Sequence, residues 1–119
     1  MTILCYPKCS TCKNAVQWLE NNNINFTYRD IALNNPTSAE LKSWHKLSTF
    51  ELKKFFNSSG LKYKELDLKD KIQSMSDDEQ YNLLATDGML VKRPIIVGED
   101  FILIGFKEDV WAEKFGISK

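Results

Sequence analysis

The sequence predicts a single α/β domain on a mixed four-stranded sheet, and three stretches carry that reading. A short apolar run, Thr2-Ile3-Leu4-Cys5-Tyr6, leads into a helical pattern, and alternation over residues 24–31 follows. Strand, helix and strand within about thirty residues is the size of a right-handed parallel crossover. Near the other end, Pro94-Ile95-Ile96-Val97, the turn Gly98-Glu99-Asp100 and Phe101-Ile102-Leu103-Ile104-Gly105 read as a β-hairpin with a three-residue loop. Between these parts, residues 35–89 carry helical signals, an insertion between the second and third strands.

The first helix takes Ala15, Val16, Trp18 and Leu19 as its apolar stripe and stops at Asn21-Asn22-Asn23. Ile24, Phe26 and Tyr28 alternate with Asn25, Thr27 and Arg29, the period of a half-buried strand parallel to the first. In the insertion, three Ser/Thr-x-x-Glu spacings predict capped helix starts at Thr37 to Glu40, Ser48 to Glu51 and Ser76 to Glu79. Leu41, Trp44 and Leu47 stripe the first of these helices, Leu52, Phe55 and Phe56 the second, and Tyr81, Leu83 and Leu84 the third, with Gly88 as its C-cap. Residues 62–71 are open between helix and loop, and their lysines, 62, 64, 69 and 71, read as a solvated face. Pro94 lacks an N–H to give to a ladder, so it starts its strand. A last helix over Glu108 to Phe115 ends at Gly116.

The 119 residues hold one core, with no repeat or linker to divide residues 1–119. Sixteen basic residues balance sixteen acidic ones, which disfavours direct nucleic-acid binding. No stretch reads as a secretory leader or a membrane span, and the chain is expected in the cytoplasm. Three cysteines within eight residues cannot form a framework of structural disulfides, and in that compartment the pattern points to catalysis or metal.

Cys9-Ser10-Thr11-Cys12 stands at the strand-to-helix junction. A helix begins with N–H groups that lack partners, and its dipole is positive there. With Lys8 and Lys13 on either side, a thiolate is favoured, and Cys9, just before the helix, is the candidate nucleophile. Cys12, one turn in, is the candidate resolving thiol. Cys5 completes a Cys-x-x-x-Cys-x-x-Cys spacing similar to the iron-sulfur motif of radical SAM enzymes, but the chain is far too short for the barrel they need. Zinc held by the three cysteines and His45 lacks a second pair at finger spacing, so no metal is expected. His45 reads as a partly exposed helix residue, and Trp18, Trp44, Trp111, Phe55 and Phe56 as core.

The order of elements resembles the thioredoxin fold, with Pro94 in the place of its cis-proline. More narrowly, Tyr6-Pro7-Lys8-Cys9-Ser10-Thr11-Cys12-Lys13-Asn14-Ala15, the helical insertion, Arg93-Pro94-Ile95-Ile96-Val97 and Gly105-Phe106-Lys107-Glu108 resemble the arsenate reductase ArsC family, including its Spx-like regulator branch. The resemblance implies that Cys9 is the nucleophile, that Arg93 faces the reacting sulfur, and that Ser10, Thr11 and Pro94 border the substrate. A second thiol at Cys12 matches the Spx-like branch and glutaredoxins rather than the glutathione-using reductases. Those enzymes ring their oxyanion with several arginines, whereas this chain has only Arg29 and Arg93 and none around Asn57-Ser58-Ser59-Gly60. Lysine does not reproduce a guanidinium's bidentate grip, which argues against arsenate.

The expectation is a thiol-disulfide oxidoreductase acting on a protein or glutathione disulfide. No cofactor is bound, and glutathione or a thioredoxin-type protein is the candidate electron donor. The alternative is a redox-switched regulator that binds the RNA polymerase α subunit, against which stand the few residues that follow Phe115.

Overall fold

The computed structural model describes residues 1–117. Four strands, β1 (Thr2–Cys5), β2 (Thr27–Asp30), β3 (Ile95–Val97) and β4 (Ile102–Ile104), form one sheet in the spatial order β2-β1-β3-β4. β1 runs parallel to β2, with Thr2 opposite Thr27 and Cys5 opposite Asp30. It runs antiparallel to β3, which pairs antiparallel with β4. The strand that leads into the cysteine loop is therefore bonded on both sides.

Side chains alternate across each strand, and the alternation sorts the core into two layers. Ile3, Cys5, Ile96 and Leu103 face the layer of α1 (Ser10–Asn21), where Ala15, Leu19 and Trp111 are buried. Trp111 belongs to the C-terminal helix, Glu108–Phe115, which Gly116 ends in a left-handed conformation at φ 68°. Leu4, Ile95 and Ile102 face the insertion, with Ile31, Leu41, Phe55, Leu84, Leu90 and Val91.

The insertion holds α2 (Ser38–Leu47), a 3-10 turn at Leu52–Phe55, α3 (Leu61–Glu65), α4 (Leu68–Lys71), a second 3-10 turn at Ile72–Ser74, α5 (Asp77–Leu84) and a third at Gly88–Leu90; the C-terminal helix is α6. Residues 62–71, open in the sequence, are thus mostly helical, divided where Asp67 takes a left-handed φ of 53°.

Two of the three predicted capping boxes form. Thr37 with Glu40 and Ser76 with Glu79 make both reciprocal bonds. The Ser48 box does not: Ser48 closes α2, its hydroxyl donating to the His45 carbonyl and accepting from the Phe50 N–H. Its oxygen is engaged before Glu51 is reached, and only a 3-10 turn follows. Gly88 is also not a C-cap, since α5 ends at Ala85. A Cβ there would stand 1.9 Å from the Ile31 carbonyl oxygen, so glycine serves close backbone approach.

The second strand is shorter than the alternation over 24–31 predicts. Ile24 and Phe26 pack against the α1-side core ahead of it, while Tyr28 is 44% exposed. In the hairpin, Val97 pairs with Ile102, leaving residues 98–101 between the strands, one more than expected. Among the described residues no helix is long and apolar enough to cross a membrane.

Candidate functional site

The loop from β1 to α1 turns on a hydrogen bond from the Cys9 N–H to the Tyr6 carbonyl at 3.0 Å. Cys9 then takes extended angles as the N-cap residue, and the Lys13 N–H donates to its carbonyl at 3.1 Å. No side chain caps this helix and no acidic residue lies in its first turn. The positive end of α1 is therefore left to the cysteine loop.

All three thiols are free, and they differ in access. Cys9 is part-buried, Cys12 is 2% exposed and Cys5 is fully buried in β1. Hydrogen bonding by Cys5, foremost, and by the Tyr6 backbone and Cys9 favours the charged form of Cys12. These bonds hold the Cys12 pKa below that of an ordinary thiol despite burial, with the charge of Arg93 adding to the effect. The same bond to Cys12, together with burial, drives the Cys5 pKa far up. Cys5 is thus the leading cause of the lowered pKa at the sulfur assigned as resolving thiol, a role the sequence did not indicate.

Across the loop, the Arg93–Pro94 peptide is cis. Pro94 is buried, and β3 begins at Ile95, one residue later than expected. The Arg93 guanidinium carbon stands 5.4 Å from the centroid of the Tyr6 ring. Its Nε and Nη1 are buried and have no hydrogen-bond partner. Arg29 is committed elsewhere: its two terminal nitrogens reach the Glu40 carboxylate at 2.8 and 2.9 Å and its Nε donates to the Asn34 carbonyl.

A cleft of about 560 Å³ opens beside Arg93. Thr11 lines it, whereas Ser10 is exposed at the start of α1. The other charged side chains lining it are Lys53, Lys54, Lys92 and Lys107, with no carboxylate among them. Aromatic walls come from Phe56, Tyr63 and Phe106. Sequence reasoning missed these lysines because their convergence depends on pairing across the insertion. Phe56 bridges Val91, the Lys92 N–H donates to the Phe55 carbonyl at 2.7 Å and the Asn57 N–H to the Leu90 carbonyl at 2.8 Å. This staple brings residues 53–57 alongside 90–93. The only hint in the sequence was the pairing of Lys53-Lys54 with Phe55-Phe56 and of Lys92 with Arg93.

A smaller cleft, about 290 Å³, reaches Cys12 between Tyr6, Val16 and Tyr28. His45 is distant from this chemistry in the fold: it lies on α2, hydrogen-bonded to the Tyr81 hydroxyl at 2.6 Å and stacked edgewise on Phe55. The lysines at 62, 64, 69 and 71 are all exposed.

Comparison with known proteins agrees with this architecture. The model of the ArsC family matches residues 4–114. The chain is 47% identical to the uncharacterized protein YusI of Bacillus subtilis (strain 168), over 97% of its own length and 98% of that protein's. It is 30% identical to the global transcriptional regulator Spx 2 of Bacillus anthracis, covering 85% of this chain and 76% of the regulator. Among solved structures, an ArsC family related protein from Bacteroides fragilis superposes with a TM-score of 0.91 at 53% identity, covering 94% of both chains.

Proposed function

This chain belongs to the ArsC family, and we propose that it is a cytoplasmic thiol-disulfide oxidoreductase using Cys9 and Cys12. The observation that carries the reading is the pairing of a part-buried Cys9, at a helix start with no side-chain cap, with a buried Cys12 whose thiolate is favoured. The Cys9 thiolate attacks one sulfur of a disulfide, forming a mixed disulfide and expelling one substrate thiolate. Cys12 then attacks the Cys9 sulfur, closing a Cys9–Cys12 bridge and releasing the second thiolate. The substrate gains two electrons, and each released thiolate takes a proton from water. Glutathione or a thioredoxin-type protein would return two electrons to the bridge.

The site favours a disulfide over arsenate. With Arg29 held by Glu40, Arg93 is the one guanidinium at the cleft, and lysines supply the remaining charge. Ammonium groups attract anions as point charges without the planar fork that fixes a tetrahedral oxyanion.

Mass spectrometry of single mutants after exposure to oxidised glutathione tests the mechanism. Cys12→Ser should accumulate an adduct on Cys9, and Cys9→Ser should lose the reaction. An adduct on Cys12 in Cys9→Ser at the wild-type rate reverses the roles.

Similarity to Spx 2 favours a second reading, in which the same dithiol switches a regulator bound to the RNA polymerase α subunit. Capture of purified α subunit by only one redox form of the chain would support it. Equal absence of binding by both forms would remove it.

A further inference from the structure

The charge around the cleft is out of keeping with the chain. Sixteen basic and sixteen acidic residues balance overall, yet Lys53, Lys54, Lys92, Arg93 and Lys107 line the cleft without a carboxylate among the lining residues. Lys53 approaches Glu51 at 3.3 Å, with both side chains well exposed, a pair too solvated to cancel its charge firmly. Arg93 gives a second, independent sign. Two of its guanidinium nitrogens are buried without a partner, and leaving such donors unpaired is costly unless an anion completes them.

Size and shape narrow the anion. About 560 Å³ is room for a peptide-sized or drug-sized guest, far more than one small oxyanion fills. The charge is contributed by three separate stretches of chain, at 53–54, 92–93 and 107, so one compact charge would leave most of it unanswered. Phe56, Tyr63 and Phe106 add apolar walls against which side chains of a polypeptide can lie. Thr11, in the first turn of α1 and next in sequence to Cys12, lines the cleft, although no cysteine does.

We infer that the cleft receives an acidic polypeptide segment, presenting its disulfide to Cys9 with Asp and Glu side chains seated among Lys54, Lys92, Arg93 and Lys107. This rests on the thiol-disulfide reading and names the substrate class for the same site. The exchange is the one described above: the protein substrate is reduced by two electrons while Cys9 and Cys12 are joined.

Three disulfide-linked peptides of equal length, with the cysteine flanked by Asp and Glu, by Ser, or by Lys, test the inference against the reduced full chain. The rate of Cys9–Cys12 bridge formation is read by acid quench and mass spectrometry, with oxidised glutathione as a fourth substrate. The acidic peptide should react roughly tenfold faster than the basic one at low salt, and the gap should shrink as salt screens the cleft. In a Lys54→Glu/Lys107→Glu double variant the preference should swap to the basic peptide, an outcome an unfolded chain cannot give. Both lysines are exposed, and Lys54→Gln/Lys107→Gln, which should lose the preference without reversing it, serves as the milder variant. Lys69→Glu, on the solvated face of α4, should leave every rate unchanged.

Equal rates for the three peptides, with the bridge still forming, overturn the acidic-segment inference and leave the oxidoreductase reading standing. Oxidised glutathione outrunning the acidic peptide overturns it in favour of a small-molecule guest. Failure of every disulfide to form the bridge removes the oxidoreductase reading and the inference together.

Discussion

Arg93 lies over the ring of Tyr6, its guanidinium carbon 5.4 Å from the centroid, while its Nε and Nη1 remain buried and unpartnered. The ring contact offsets part of the cost of holding a cation there, on the order of 1 kcal/mol. The two unpaired donors cost more than that. Arg93 is therefore held in the free protein at a net cost.

Replacement by a flexible apolar side chain should expose that cost. Arg93→Met should raise the melting temperature, with a net gain of about 1 kcal/mol corresponding to roughly 4 °C in a domain of this size. It should at the same time slow bridge formation with an acidic disulfide. A melting temperature lower than wild type would show that the arginine stabilises the fold instead.

Cys5 gives the second prediction. Hydrogen bonding by Cys5 is the leading cause of the lowered Cys12 pKa, so Cys5→Ala should raise it. In a Cys9→Ser background the thiolate absorbance should then appear at higher pH when Cys5 is replaced. Superimposable titration curves would mean that Cys5 only fills space.

Much of this arrangement was legible in the chain, and the division follows from locality. The Cys9-Ser10-Thr11-Cys12 helix start, the boxes at Thr37 and Ser76, and the Gly116 stop depend on residues within four positions of one another. β1, β3 and β4 were legible because their apolar runs meet a core on each face, whereas β2 buries neither face and its extent was overread. What escaped depends on distant partners. Ser48 matches a capping box, but its hydroxyl finds His45 and Phe50 first. Gly88 looks like a helix stop, but answers to the Ile31 backbone. The lysines of the cleft gain their meaning only from the Phe56–Val91 bridge.

Glu40 couples that local logic to pH. The Arg29 guanidinium, first among the causes, holds its pKa at about 2 against 4.5 for a free side chain. A depressed carboxyl contributes stability that is present above 4.5 and lost as pH falls through about 2. Its side chain is 37% exposed, so solvent screening limits the effect to on the order of 1 kcal/mol. Glu40→Gln should be less stable than wild type at neutral pH, and denaturation curves for the two should converge across that acid window. A gap that persists undiminished at the acid end would show that the charge is not its source.

Gly88 supplies a prediction about packing alone. With the Ile31 carbonyl oxygen 1.9 Å from where a Cβ would sit, Gly88→Ala must shift backbone rather than a side chain. The expected cost is on the order of 3 kcal/mol by denaturant unfolding. A change of a few tenths would mean that the loop and the 3-10 turn slide apart freely.

The aromatic seam between α1 and α6 bears on the order in which the protein is made. Trp18 meets Trp111 at 6.0 Å and Phe115 at 6.1 Å between ring centroids, so the core layer that holds Cys5 and Cys12 is completed by rings from the first and last helices. Translation delivers α1 early and α6 late, and the nascent chain emerges at roughly 5–20 residues per second. For those seconds the layer lacks its C-terminal helix, and Cys5, fully buried in the finished fold, is open to any oxidant near the ribosome. Ribosome-bound chains stalled before Glu108 should accordingly label at Cys5 with a thiol reagent, and released chains should not. Protection of Cys5 already in the stalled chains would place the seal in the sheet instead.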